Sequence, residues 1–216
     1  MQELHAHAVA KRNGRGRRSP QASRQQAAIV AIEESLNDQA LFGTPEIGVP
    51  GFLDHPNIPR STVAPGASTS TLWANKTADE ILEDINALGD SIWVGSKMIE
   101  KPNTLALAPS AYTLLSQRRL DGRDISIMKF LQENSKYFTN DASFIPVNEY
   151  EGAGTGGSNL MTAYDRSEGK LRMEIPQEMQ SLPTQQQLFQ YMMLYYCYSA
   201  GCMVLYPRSI EHADGI

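Results

Sequence analysis

The residues that could do chemistry are few, and their spacing gives them little to work with. Asp54-His55 sets a carboxylate beside an imidazole, the pair a proton-transfer step needs, but neighbouring side chains in extended chain point to opposite sides. His55 is therefore expected to be a hydrogen-bonded structural residue or an exposed one. Glu80, Glu83 and Asp84 gather three carboxylates on one stretch, which reads as a solvated helix face and not as a metal cluster. Gly152–Gly157 (GAGTGG) suggests a phosphate loop. A dinucleotide loop needs GxGxxG between a strand and a helix, and a P-loop ends in GK[ST]. Here Ser158-Asn159 and a strand pattern follow, so a mobile surface loop is expected. His5 and His7 have no third ligand nearby in sequence. Cys197 and Cys202 are too few for a disulfide framework and poorly spaced for zinc, and are expected as buried free thiols suited to a reducing compartment. GxSxG, HExxH and EF-hand patterns do not occur. The expectation is a non-enzyme with no catalytic, cofactor-binding or metal residues.

The elements around these residues are easier to read. Ala40–Arg60 (ALFGTPEIGVPGFLDHPNIPR) is rich in Gly and Pro yet carries Phe42, Ile47, Val49, Phe52, Leu53 and Ile58. A flexible linker lacks such residues, so an ordered, extended connection that docks its side chains is predicted. Before it, Ala28, Ile32, Leu36 and Ala40 recur at four-residue steps with Ile29 beside them, predicting an amphipathic helix over Ser23–Phe42. Ser23 with Gln26 offers a capping box, Gly43 a left-handed stop, and Pro45 prevents continuation. After a small, polar stretch over Ser61–Asn75, Thr77-Ala-Asp-Glu80 is a second capping box. Ile81, Ile85, Leu88, Ile92 and Gly95 then line one helix face to about Met98. Thr104–Ala108 reads as a buried strand, Ser110 as the cap of a helix to Gln117, and Ile125–Gln132 as another short helix. Ala142–Glu149 reads as a strand that Pro146 pushes to an edge. Leu160–Tyr164 and Lys170–Ile175 are expected to form a hairpin. In Leu188–Tyr206, two strands (Phe189–Tyr198 and Cys202–Tyr206) with a break at Gly201 are expected, and periodicity leaves a buried helix open.

Composition sets outer limits. The 216 residues are 41% apolar and 20% charged, ordinary for a globular protein. They hold no apolar run long enough to span a membrane and no signal-peptide core. The charge is uneven. Lys11, Arg12, Arg15, Arg17, Arg18 and Arg24 against Glu3 give the first 24 residues +5 in a chain whose net is −5, so the remainder carries −10. Met1–Pro20 lacks apolar periodicity, which predicts a disordered, dispensable basic segment, with a nucleic-acid-touching arm as the sharper alternative. The acidic remainder would repel phosphate.

Four stretches, in order, resemble the major capsid proteins of tailed bacteriophages and prophages. They are the helix end at Asn37–Gly43 followed by Gly48–Pro56 (GVPGFLDHP), Trp73 with the Thr77–Ser96 helix, Leu105–Leu115 (LALAPSAYTLL), and Tyr206-Pro207-Arg208 with Asp214-Gly215-Ile216. The resemblance covers about Arg24–Ile216 and implies an α+β, Hong Kong 97 type capsid fold. Residues 21–76 would hold a spine helix and extended connection of the peripheral domain. Residues 77–165 would form an axial domain with a central sheet and flanking helices, and residues 166–216 strands returning to that body. It further implies a self-assembling virion subunit, in pentamers and hexamers of an icosahedral head, made in host cytoplasm. Its partners would be other copies, portal and scaffold proteins and weakly touched packaged DNA, with no membrane. The family's N-terminal arm and extended loop have no counterpart before the spine helix. A truncated or decayed gene, or a wrongly chosen start, is therefore expected, and with it irregular oligomers instead of closed shells. A related protein-compartment shell and an uncharacterised soluble enzyme are the alternatives.

Overall fold

The computed structural model describes residues 20–187 and 190–216. In chain order, helix α1 (Pro20–Phe42) leads into strands β1 (Gly43–Thr44) and β2 (Val49–Pro50), then β3 (Arg60–Thr62) and helix α2 (Ala78–Gly95). Strand β4 (Thr104–Leu107), helices α3 (Pro109–Gln117) and α4 (Ile127–Asn134), and strands β5 (Phe144–Pro146) and β6 (Leu160–Tyr164) follow. The chain closes with β7 (Leu171–Glu174), β8 (Gln177–Ser181), β9 (Gln185–Gln187), β10 (Gln190–Met192), β11 (Tyr195–Tyr198), β12 (Gly201–Val204) and β13 (Ile210–Asp214). Residues 1–54 with 173–202 form one compact unit and residues 55–172 with 203–216 another. The sequence placed its divisions at 76/77 and 165/166 instead. The basic segment expected at Met1–Pro20 lies almost wholly outside the described residues, as do Leu188 and Phe189.

In the first unit, α1 already includes Ser23, so this residue does not cap the helix. The other end matches expectation: Gly43 takes φ 72°, and the chain turns back through Gly48 and Gly51. There is no room for a side chain at this crossing. A Cβ on Gly43 would sit 2.3 Å from the Val49 carbonyl, and one on Gly51 2.3 Å from that of Leu41. The amides of Phe52 and Leu53 donate to the Ala40 and Leu41 carbonyls at 2.9 Å, satisfying acceptors that the helix end leaves open. Phe52 and Leu53 are buried here and Ile58 in the second unit, as an ordered connection requires, whereas Phe42 and Ile47 stay exposed. Strands β8 and β11 pair antiparallel, as do β9 and β10.

The second unit is built on a five-stranded mixed sheet ordered β3-β13-β6-β4-β5. β13 runs parallel to β3 and antiparallel to β6; β4 runs antiparallel to β6 and parallel to β5. Pro146 sits on the edge strand, where a missing donor costs nothing. Helix α2 packs on β13, and α3 lies against α4 and β5. Ile81, Ile85, Leu88 and Ile92 of α2 join Leu105, Leu107, Leu115, Ile127, Leu131, Phe138 and Leu160 in the core.

Three expectations fail here. β6 does not form a hairpin with β7. It pairs with β4 and β13, while β7 pairs with β12. The reason is visible in burial: Leu160, Met161, Thr162 and Ala163 are covered on both faces, as a central strand's residues are, whereas Leu171–Glu174 has no buried residue. Ser110 is not a helix cap. Helix α3 starts one residue earlier at Pro109, and Ser110 Oγ instead accepts from Asn159 Nδ2. The polar stretch after Arg60 hides a strand, β3, paired with β13, whose own sequence (IEHAD) gives no apolar signal although all five residues are buried.

Candidate functional site

The most concentrated chemistry lies at the start of α2. Thr77 Oγ1 accepts from the Glu80 amide and the Glu80 carboxylate accepts from the Thr77 amide at 2.7 Å, a complete capping box. Glu80 also accepts from the Ala67 amide at 2.6 Å, and the two backbone donors hold its carboxyl below the usual range. One turn on, Asp84 is not solvated as its place in an acidic run suggested. It is buried, with its Oδ2 accepting from Trp73 Nε1 at 2.9 Å and from Lys76 Nζ at 2.6 Å. Lys76, buried too, also donates to the Ala64 carbonyl, and Arg118 donates to the carbonyls of Trp73 and Ala74. Burial pushes the Asp84 carboxyl up, against the pull of Lys76 and Trp73. Both charges are spent on one another and on main-chain groups, so the cluster pins residues 64–76 onto the helix and presents no free acid or base. Only Glu83 of the three is exposed.

The other candidates are equally occupied or dispersed. His55 Nδ1 accepts from the Asn57 amide at 3.3 Å, and burial holds its pKa below the ordinary value. In GAGTGG, the Gly154 amide donates to the Ser158 carbonyl and Thr155 Oγ1 to Asp214 Oδ2, so the loop is tied to its own fold and leads into a strand. Cys197 and Cys202 are free and half-buried, less covered than expected; burial pushes the Cys202 thiol up to about 11, which suppresses its thiolate. Polar residues to which sequence reasoning assigned no chemistry line β13: Asp214 meets Arg60 Nε at 3.1 Å, His212 Nδ1 lies 2.7 Å from Thr162 Oγ1, and Glu211 accepts from Ser61 Oγ. Among the described residues, no three His, Cys, Asp or Glu side chains are grouped to hold a metal, and no helix is long and apolar enough to cross a membrane.

What the molecule offers instead is surface. From Arg24 to Phe42 no side chain of α1 is buried, and its stripe of Ala28, Ile29, Ile32, Leu36 and Ala40 is half-covered. Val94, Met98 and Ile99 stand exposed at the end of α2. A groove of about 400 Å³ opens between α2 and β3. The sequence pattern of a family described as "Major capsid protein" matches residues 14–216. The chain belongs to this family. The match runs from within the basic segment to the last residue and takes in all four stretches on which the resemblance rested.

Solved structures agree on the capsid fold. The chain is similar to the capsid of Myoviridae Phage XM1, with a TM-score of 0.75 at 20% identity, over 92% of this chain and 66% of that one. It is also similar to the virus-like particle from Pyrococcus furiosus, with a TM-score of 0.50 at 15% identity, over 74% of this chain and 57% of that one. This chain thus spans just under two thirds of the first and a little over half of the second. No curated protein matches it. The family and the α+β capsid fold point to a structural role.

Proposed function

We propose that the chain is a non-catalytic subunit of a virion shell that self-associates into the pentamers and hexamers of an icosahedral head. The observation that carries this reading is the family match over residues 14–216. The unit with the five-stranded sheet would serve as the axial part, and α1 with its neighbouring strands as the peripheral part. Exposed apolar side chains on both units suit a protein whose natural neighbours are further copies of itself. The net charge of −5 suits a container, because an acidic wall does not grip packaged DNA. Portal and scaffold proteins would be its other partners, and the host cytoplasm its place before assembly. Sedimentation velocity and negative-stain microscopy of the purified full chain near neutral pH test the reading. Oligomers that grow with concentration are expected, and a clean monomer at every concentration would overturn it. The likeness to a virus-like particle favours one second reading, a compartment shell that encloses enzymes instead of DNA. The nucleic-acid content of recovered particles separates the two.

A further inference from the structure

The groove between α2 and β3 contains an unbalanced charge. Glu211 is 7% exposed and accepts a hydrogen bond from Ser61 Oγ at 2.9 Å, yet no Lys, Arg or His among the described residues lies within salt-bridge distance of it. A buried carboxylate is costly without a cation. Glu83 adds a second carboxylate at the rim, while the exposed Ala64 and Ala87 give the lining apolar surface. At about 400 Å³ the space has the size of a site for a small ligand, whose range is about 300–1,000 Å³. It calls for an occupant that is cationic at one point and apolar beside it.

The same chain displays such an occupant. Beyond α2, Lys97 and Met98 both take left-handed backbone angles, φ 59° and 66°, which cost a non-glycine residue energy and mark sites where conformation matters. The turn is fixed from below. Met98 N donates to the Trp93 carbonyl at 2.7 Å, and buried Ser96 accepts from the Glu100 amide at 2.9 Å. Its outward side presents the exposed Lys97 ammonium beside Met98 at 64% and Ile99 at 77% exposure. A rigid tip loses little freedom on docking.

Resting on the shell-subunit reading, we infer that the Lys97–Ile99 tip of one copy seats in the groove of the next, with Lys97 facing Glu83 and Glu211 and Met98 against Ala64 and Ala87. Groove and tip are different surfaces, so the contact is head-to-tail and propagates from copy to copy.

Cysteine pairing tests this in the full chain carrying Cys197→Ser and Cys202→Ser. Position 87 lies inside α2, about 12 Å before the helix end at Gly95 at 1.5 Å per residue, and position 98 lies in the turn beyond that end, too far for a bond within one chain. A chain with both Ala87→Cys and Met98→Cys should give a disulfide ladder beyond the dimer on mild oxidation, and neither single variant should. Lys97→Glu or Glu83→Lys alone should weaken self-association at least about tenfold, and the two together should restore it. Oligomers or shells without the 87–98 disulfide would overturn this contact and leave the shell-subunit reading standing, whereas a chain that never associates would sink both. Bonding that stops at the dimer would overturn the head-to-tail contact. So would Glu211-dependent binding of Mg²⁺ by the unassociated chain, which would assign the groove to an ion.

Discussion

Helices α1 and α2 both carry an apolar stripe, weak in α1 and pronounced in α2, and have opposite fates. α2 buries eight of its 18 residues against the sheet and α4, among them Ile81, Ile85, Leu88 and Ile92. α1 runs 23 residues and buries none of the side chains described. The contrast extends to the units that hold them. Among the described residues, the sheet unit contains nearly all of the large buried side chains, whereas the other buries only Phe52 and Leu53 of its large residues and leaves Val30, Ile47, Leu182 and Leu194 exposed. An apolar stripe that its own chain covers only in part contributes its full stabilisation only when something else covers the rest. On the shell-subunit reading proposed above, α2 would hold the subunit together while α1 would be free to hold subunits to each other.

The comparison breaks most readily at Asp84. Replacing it with Ala strands the Lys76 ammonium in a buried site with only the Ala64 carbonyl, and a broken buried pair costs about 3–5 kcal/mol. Urea unfolding should show that loss, and adding Lys76→Met should recover a good part of it. A second, smaller break is Gly89→Ala. Alanine is the better helix former, but a Cβ at Gly89 would lie 2.5 Å from the Tyr137 ring, so the ring must move and the net effect should be a loss of about 1–3 kcal/mol. If Gly89→Ala is neutral or stabilising by the same assay, the ring is looser than its burial implies. Ile32→Ala or Leu36→Ala in α1 should cost the unassociated chain no more than about 0.5 kcal/mol, as for surface changes. Both should nevertheless lower the oligomer fraction in sedimentation. A core-sized loss at either position would show that α1 is packed by its own chain after all.

How much of this could be read from residues depends on the reach of each interaction. The Thr77–Glu80 box, the Gly43 stop and the β4 run are satisfied within a few residues or by continuous burial, and they were legible. Asp84 was misread because its partners, Trp73 and Lys76, come from a loop eight to eleven residues earlier that carries no periodic signal. Strand β13 was missed for the same reason on a larger scale. Its Glu211, His212 and Asp214 are buried because Ser61, Thr162 and Arg60 reach them from 50 to 154 residues away. The groove and the tip were not legible, since the groove needs β3, β13 and α2 side by side and the tip is recognised only by its backbone angles.

The finest test uses two carboxylates one turn apart on α2. The Glu80 pKa is lowered from 4.5 by the Ala67 and Thr77 amides. Its contribution to stability is therefore present above about pH 4.5 and lost as pH falls through the lowered value. The Asp84 pKa is raised from 3.8 by burial, so the folded state binds its proton first, and stability from this group grows as pH falls through the window above 3.8. The two slopes oppose each other between roughly pH 3 and 6, over which ordinary carboxylates titrate. Urea midpoints across that range should fall less steeply toward acid in Glu80→Gln than in the natural chain, and more steeply in Asp84→Asn. The slope is the quantity to compare, because Asp84→Asn also lowers the whole curve by weakening the partner of Lys76. Equal slopes in all three proteins would mean that neither carboxylate is coupled to folding, and the pinning of residues 64–76 onto α2 would then lose its electrostatic basis.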